Sequence, residues 1–406
     1  MKKLVIYHII PLIIAFGIAF LLFFFINQKS KKHSTPKIYK PIKSSGIYAN
    51  YDNGISSELD LIYALQNNSL IIWGSSELTG VDSLGYQPYD FFPNNFNIPS
   101  LAIGHAGNQS FSIFCQIAAM SQYVIKSKMV IIVSPGWFTG GYAKGTSTTS
   151  FLEFNNERFL KNTYNSNIAK KYKNYISEYL YKNRYDINAP TFFMESMMYY
   201  KRLNKINLKF PYVWLTQSIT KTLYPNYNKK SYSEYFVEPI NEITIKHKII
   251  KWDSLKAKAV NDFEKISNNN NVGVNSKYFT LHVEGRKFKQ IIGNIENNCE
   301  LKDFEMLVSL INHLKIEPVF IIQNLNPLVY SNLQEMKPII DTIISITNKF
   351  NYPTLNMFTP TVNNYQQGEL TDVMHMGDLG WIKVNQFIYN NLYKNETTIQ
   401  PKKVFN

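Results

Sequence analysis

The sequence predicts an α/β protein with a mainly parallel sheet, a large helical and loop-like insertion, and one N-terminal transmembrane helix. Three observations carry this expectation. Short apolar runs alternate with helix-like segments both before and after the middle of the chain, the rhythm of strand–helix–strand units. The first three runs end in loops of small residues, and the carboxyl ends of parallel strands are where ligands collect. Leu4 to Ile26 is almost wholly apolar and uncharged, and at about 1.5 Å per residue it can span a hydrocarbon core about 30 Å thick.

Taken in order, residues 1–3 form a short cytoplasmic end and 4–26 the membrane span. A cleaved signal peptide is opposed by the length of the run and by Asn27-Gln28-Lys29-Ser30, which offers no small-x-small cleavage site. An uncleaved signal anchor is therefore expected. Lys2 and Lys3 precede it, whereas Lys29, Lys31, Lys32, Lys37 and Lys40 follow, so the charges alone would keep the following domain inside. Residues 27–50 are basic, carry Pro36 and Pro41, and read as a linker. The domain proper is expected over 51–395, with a tail at 396–406.

Within the domain a helix is expected at Leu59 to Gln66 and strands at Ser69 to Trp73, Ile98 to Ile103 and Met129 to Val133. An amphipathic helix, Ser110 to Lys126, joins the second and third strands. Residues 139 to about 300 break the rhythm and read as an insertion rich in Tyr, Asn and Lys, with helices at Ala169 to Lys182 and Thr244 to Ile266. Its aromatics suit either a core or stacking on a ligand. The rhythm then resumes: helix Leu301 to Leu314, strand Pro318 to Gln323, helix Leu333 to Phe350, strand Thr354 to Phe358 and closing helix Trp381 to Tyr393.

Composition narrows the function. The chain has 406 residues, 45% of them apolar, enough for a substantial core. A net charge of +14 favours anionic partners. A nucleic-acid role lacks any zinc-finger or RNP-like signature; an anionic membrane surface or a phosphate polymer fits equally well, and most of the lysines read as a solvated surface. Two cysteines, Cys115 and Cys299, are too few for a disulfide framework or a cysteine zinc site. No metal cluster or phosphate-cradling loop is visible, and no cofactor is expected.

The chemistry lies in two short motifs far apart. Gly74-Ser75-Ser76-Glu77-Leu78 follows the first apolar run, and Asp372-Val373-Met374-His375 lies before the closing helix. They offer a serine, a histidine and a carboxylate. A serine hydroxyl needs a base to remove its proton, and imidazole, with an ordinary pKa of about 6.5, suits that task. Asp372, three residues from His375, can reach the ring nitrogen and orient it. Ser76 falls where a strand turns into a helix, with its N–H free to face an oxyanion. Glu77 reads as a surface glutamate favoured by the helix dipole, or else as a partner for a substrate ammonium. His105 reads as a loop hydrogen-bonder near the site; Trp137 and Trp381 suit either a site wall or the core. No Gly-x-Ser-x-Gly elbow is present, which argues against an ordinary α/β-hydrolase.

This arrangement resembles the SGNH (GDSL-like) hydrolase superfamily, which implies a three-layer α/β/α fold. Gly74-Ser75-Ser76 stands for its first block, with Ser75 in place of the usual Asp. Gly107 falls where the second-block glycine donates an oxyanion N–H. Gly136, in Ser134-Pro135-Gly136-Trp137-Phe138, occupies the place of the third-block Asn. The narrower match is to the DltD family of D-alanyl transfer proteins, carried by Gly-Ser-Ser-Glu-Leu, Ser-Pro-x-Trp-Phe and Asp372-Val373-Met374-His375-Met376-Gly377-Asp378-Leu379-Gly380-Trp381. That family usually has Gln where Gly136 stands, and the loop Asn324-Leu325-Asn326-Pro327 also departs from its pattern.

The resemblance implies an extracytoplasmic serine acyltransferase on a single-pass anchor in the cytoplasmic membrane, moving D-alanyl groups onto (lipo)teichoic acid. Ser76, Asp372 and His375 would form the triad. A membrane-bound O-acyltransferase and a D-alanyl carrier protein would be its partners. Two alternatives stay open: an SGNH esterase or O-acetyltransferase acting on envelope polysaccharide, and a non-catalytic scaffold of the D-alanylation complex.

Overall fold

The computed structural model describes residues 55–79, 85–187, 192–205, 242–268 and 270–402, with the backbone of three short strands outside these ranges. The segment Leu4 to Ile26, expected to span a membrane, lies outside the described residues. Among the described residues no helix is long and apolar enough to cross a membrane.

Two of the short strands fall in the expected linker: β1 (Lys37–Tyr39) and β2 (Ile47–Ala49). Helix α1 (Ile55–Gln66) leads into β3 (Leu70–Trp73). Then follow α2 (Pro88–Phe96), β4 (Ser100–Ile103), α3 (Ser110–Ala119) and β5 (Lys128–Val133). The insertion supplies α4 (Thr148–Phe154), α5 (Glu157–Asn165), α6 (Lys170–Lys182), α7 (Phe192–Met198) and α8 (Tyr200–Lys205). It continues with β6 (Tyr235–Val237), β7 (Ile243–Thr244) and α9 (Trp252–Ser267). The chain closes with α10 (Cys299–His313), β8 (Glu317–Ile322), α11 (Lys337–Asn348), β9 (Thr354–Asn356), α12 (Asp378–Ile388) and β10 (Thr398–Ile399).

The main sheet has the order β2-β4-β3-β5-β8-β9, and every pairing in it is parallel. The alternation of side chains along a strand explains its two covered faces. Ile71, Trp73, Met129, Ile131, Val133, Phe320 and Ile322 enter one core with α1, α3, α10 and α11. Their neighbours Leu70, Ile72, Val130, Ile132, Val319 and Ile321 enter a second core with α2 and α12. The result is the three-layer α/β/α arrangement. From β3 the chain crosses to β4 on one side and then to β5 on the other. The carboxyl end of β3 is thus a topological switch point, where such sheets bind ligands.

The structure corrects several element boundaries. The helix expected over Ser110 to Lys126 stops at Ala119, and Lys126 has a left-handed φ of 56°. The helix expected from Thr244 begins only at Trp252. Ahead of it Ile243 and Thr244 pair antiparallel with Ile399 and Thr398. The alternation Ile243, Ile245 was the strand signal that the helical reading passed over. The expected tail therefore contributes a strand, and Lys402 Nζ, half-buried, donates to Tyr123 O at 2.5 Å. The insertion's tyrosines form a core: Tyr179 lies 4.1 Å from the Phe111 ring centroid, and Tyr175 contacts both Phe111 and Phe114. Cys115 is buried, and both cysteines are free thiols.

Candidate active site

The loops after β3, β4 and β5 meet at the switch point. The chain leaves β3 through Gly74 and enters a short 3₁₀ turn, Ser76–Thr79. The loop after β4 presses directly on that turn. A Cβ on Gly104 would come within 1.9 Å of Gly74 O, and Gly104 has a φ of +144°, so only glycine fits there. Asn108, fully buried, donates from Nδ2 to Gly74 O at 2.9 Å and accepts from Gln116 Nε2 at 3.0 Å. Ser75 Oγ donates to His105 O at 3.1 Å. Gln109 Nε2 reaches toward the third loop, donating to Tyr142 O at 3.1 Å. Ser76 is thereby held on a turn fixed by buried polar contacts, while its own side chain stays partly open to solvent.

The histidine arrives from the far end of the chain. Thr371 N–H donates to His375 O at 2.9 Å, closing a tight loop around Asp372. Asp372 Oδ1 accepts the backbone N–H groups of Met374 and His375 at 2.8 and 2.7 Å. Its other oxygen, Oδ2, accepts from His375 Nδ1 at 2.7 Å. That leaves His375 Nε2 facing Ser76 Oγ at 2.9 Å. Three residues separated by 299 positions in sequence thus form one continuous hydrogen-bonded chain. The His375 side chain keeps 28% exposure and that of Asp372 13%, so the ring can meet a ligand while the carboxylate is sheltered.

The electrostatics follow from that geometry. Burial pushes the Asp372 carboxyl up, but the His375 ring, its charge and the two backbone N–H donors outweigh this and hold it below the ordinary value. Burial pulls His375 down, but the Asp372 hydrogen bond and charge, with the Glu77 charge, hold it above its ordinary value. The glycines of the last motif have a steric cause. A Cβ on Gly377 would lie 2.5 Å from Gly368 O, and one on Gly380 would lie 2.4 Å from Glu369 O. Helix α12 starts against this backbone, and side chains there would push the His375 loop away from Ser76.

The other residues singled out from sequence fall as follows. Gly107 lies on the loop after β4 with φ +91°, where an added Cβ would meet Ser150 Oγ at 2.5 Å. Gly136 lies on the 3₁₀ turn Pro135–Phe138 after β5, with its Cβ direction open to 3.5 Å. The backbone N–H groups of Ser76, Gly107 and Gly136 donate to no backbone or side-chain acceptor among the described residues. Trp137 and Trp381 are buried in the two cores at 5% and 1% exposure. The His105 ring packs on the insertion, 4.4 Å from the Phe154 ring, and its Nε2 lies 3.2 Å from Glu153 Oε1. Glu77 is a correction. It is not a surface residue but is buried at 2% exposure, because its carboxylate turns inward onto the Ser75 N–H at 2.6 Å.

Sequence reasoning missed Asn108, Asn324 and Glu369. Asn324 Nδ2 donates to Glu369 Oε2 at 3.1 Å, and its Oδ1 accepts from Thr359 N, tying the β8 and β9 loops to the bend that precedes the histidine loop. The one signal for Asn324 was its place at the end of an apolar run; Glu369 had none. Among the described residues no three His, Cys, Asp or Glu side chains gather as a metal site.

Comparison with known proteins places the chain in a family. No curated protein matches the sequence significantly. The model of the family described as DltD protein matches residues 56–392, which include the triad-like chain, the loops after β3, β4, β5, β8 and β9 and the whole insertion. The chain therefore belongs to the DltD family, the proteins of teichoic acid D-alanylation.

Proposed function

We propose that this chain is an extracytoplasmic serine acyltransferase that moves D-alanyl groups onto teichoic acid through an acyl-enzyme on Ser76. The observation that carries the proposal is the 2.9 Å contact between Ser76 Oγ and His375 Nε2, with Asp372 at 2.7 Å behind the ring. In the first half-reaction Ser76 Oγ attacks the acyl carbonyl of the donor, and His375 Nε2 takes its proton. The imidazolium then protonates the leaving thiol or alcohol, and the D-alanyl ester of Ser76 remains. In the second half His375 takes the proton of a polymer hydroxyl, that oxygen attacks the ester, and Ser76 Oγ recovers the proton. Asp372 holds the ring in the Nδ1–H tautomer and stabilises its charged form. The free N–H groups of Ser76 and Gly107, with that of Gly136 in place of the absent Asn, would face the oxyanion.

The anchor at Leu4 to Ile26 would hold the domain at the outer face of the cytoplasmic membrane. A membrane-bound O-acyltransferase and the D-alanyl carrier protein would act on the donor side, and the charge of +14 would favour the polyanionic acceptor. A D-alanyl thioester, offered with and without poly(glycerol phosphate), tests the reaction. D-alanyl ester on the polymer supports the transferase. Free D-alanine at the same rate in both cases identifies an esterase, and no turnover with either points to the scaffold.

A further inference from the structure

Glu77 takes no part in the proton relay above, yet it is buried beside the nucleophile. We infer that Glu77 is a positioning residue of the acyl-transfer centre, whose carboxylate clamps the turn carrying Ser76 and sets the field acting on His375. The inference rests on Ser76 and His375 being nucleophile and base.

Two contacts define the clamp. Glu77 Oε1 accepts the Ser75 N–H at 2.6 Å, within the range of a charge-assisted bond. A Cβ on Gly74 would lie 2.4 Å from that same oxygen. The glycine and the glutamate of the Gly-Ser-Ser-Glu motif therefore explain each other. The carboxylate folds back over the end of β3, and position 74 must be bare to admit it. With Ser75 N–H on Glu77, Ser75 Oγ on His105 O and Ser75 O accepting the Leu78 N–H at 3.2 Å, the residue before the nucleophile is fixed at all three of its polar groups.

A clamp alone would not need a charge. A buried carboxylate is costly unless it is paired, and Glu77 makes no ion pair with a Lys or Arg among the described residues. Burial holds its carboxyl above the ordinary range, outweighing the Ser75 N–H, its own N–H and the nearby His375, which pull it down. The groups facing His375 are Asp372 on its own loop and Ser76 and Glu77 on the nucleophile turn. Tyr278, Tyr330 and Tyr365, which sense the Asp372 charge, are neutral hydroxyls raised first by burial. In its ionised form Glu77 is a second negative group acting on the imidazole, after Asp372. It favours the imidazolium that forms as Ser76 loses its proton, and such fixed charge acts without reorganisation during the reaction.

The test is the rate of Ser76 modification by a fluorophosphonate as a function of pH, on wild type, Glu77→Gln, Glu77→Ala and a His375→Ala baseline, with thermal melts as a folding control. Glu77→Ala should slow the reaction about 10- to 100-fold across the pH range, because the turn is no longer fixed. Glu77→Gln keeps an acceptor for Ser75 N–H and should recover most of the plateau rate. Its acid limb should move to lower pH, since a less basic His375 becomes neutral earlier. An acid limb that coincides with wild type, or a Glu77→Ala rate within twofold of wild type, overturns the inference and leaves the nucleophile reading standing. If Glu77→Ala does not fold, the Glu77→Gln limb decides alone. Absence of any adduct on wild-type Ser76 overturns both.

Discussion

Asp372→Asn is the perturbation whose effect the geometry fixes most closely. Oδ1 accepts two backbone N–H groups and Oδ2 accepts the ring Nδ1–H. In the variant the amide oxygen must keep the two-donor position, because an NH2 there would face two N–H groups. The amide nitrogen then faces Nδ1 as a donor and forces the ring into the Nε2–H tautomer. Nε2, 2.9 Å from Ser76 Oγ, becomes a donor and can no longer take the serine proton. A wrong tautomer of this kind lowers the rate by about 10⁴-fold in serine enzymes, equal to about 5.4 kcal/mol in the barrier. The loop should survive, since its two backbone contacts persist, and the stability loss should stay near 1 kcal/mol. The assay is the rate constant for acylation by a chromogenic ester, with a denaturant titration alongside. A variant within tenfold of wild type would refute the assignment of Asp372 as the group that sets the tautomer.

Four further outcomes are expected. Gly104→Ala should destabilise the fold by more than about 2 kcal/mol through overpacking at a strained φ, because its Cβ would sit 1.9 Å from Gly74 O. Gly136→Gln, with 3.5 Å of room, should melt within a few degrees of wild type; equal melting of the two variants would contradict the steric reading. A maleimide should modify Cys299 and spare Cys115 in the native protein, since Cys115 is buried and its thiol is pushed well above the ordinary range by burial and then by Asp303; adduct on native Cys115 would count against this core. The histidine–aspartate pair should also mark the pH dependence of stability. His375 is raised in the fold, so its contribution is full below about 6.5 and fades as pH climbs through the folded value. Asp372 is depressed, so its contribution is present above about 3.9 and lost as pH falls through the folded value. His375→Gln should therefore cost more stability at pH 6 than at pH 9, and an equal cost at both would refute the coupling.

The legible parts of the fold and site were those that local chemistry writes plainly. Strands β3, β4 and β5 are short apolar runs ending in glycine or serine, and the order of the loops after Trp73, Ile103 and Val133 follows from that pattern. The serine and histidine motifs could be paired because acyl transfer needs three particular groups and the chain offered one set in a suitable order. What stayed hidden depends on contacts between distant segments. The burial of Glu77 follows from a bare Cα at Gly74, and a helix-dipole argument, which treats residue 77 as a surface position, cannot see it. Asn108 acts through the Gly74 carbonyl and Glu369 through the Asn324 amide, contacts between distant loops that composition does not reveal. Trp137 was ambiguous because an aromatic beside a site and an aromatic in a core read alike. The glycines at 377 and 380 were visible as a spacing, but their cause, the backbone of Gly368 and Glu369 lying against them, became apparent only in three dimensions.

The central claim is that Ser76 is a nucleophile activated by His375. It is tested most directly by labelling the full-length protein in membranes with a serine-directed phosphonate, followed by peptide mapping, for wild type, Ser76→Ala and His375→Ala. The account predicts one adduct, on Ser76, abolished in the first variant and strongly reduced in the second. An adduct elsewhere, or adduct on Ser76 at an undiminished rate without His375, would contradict it.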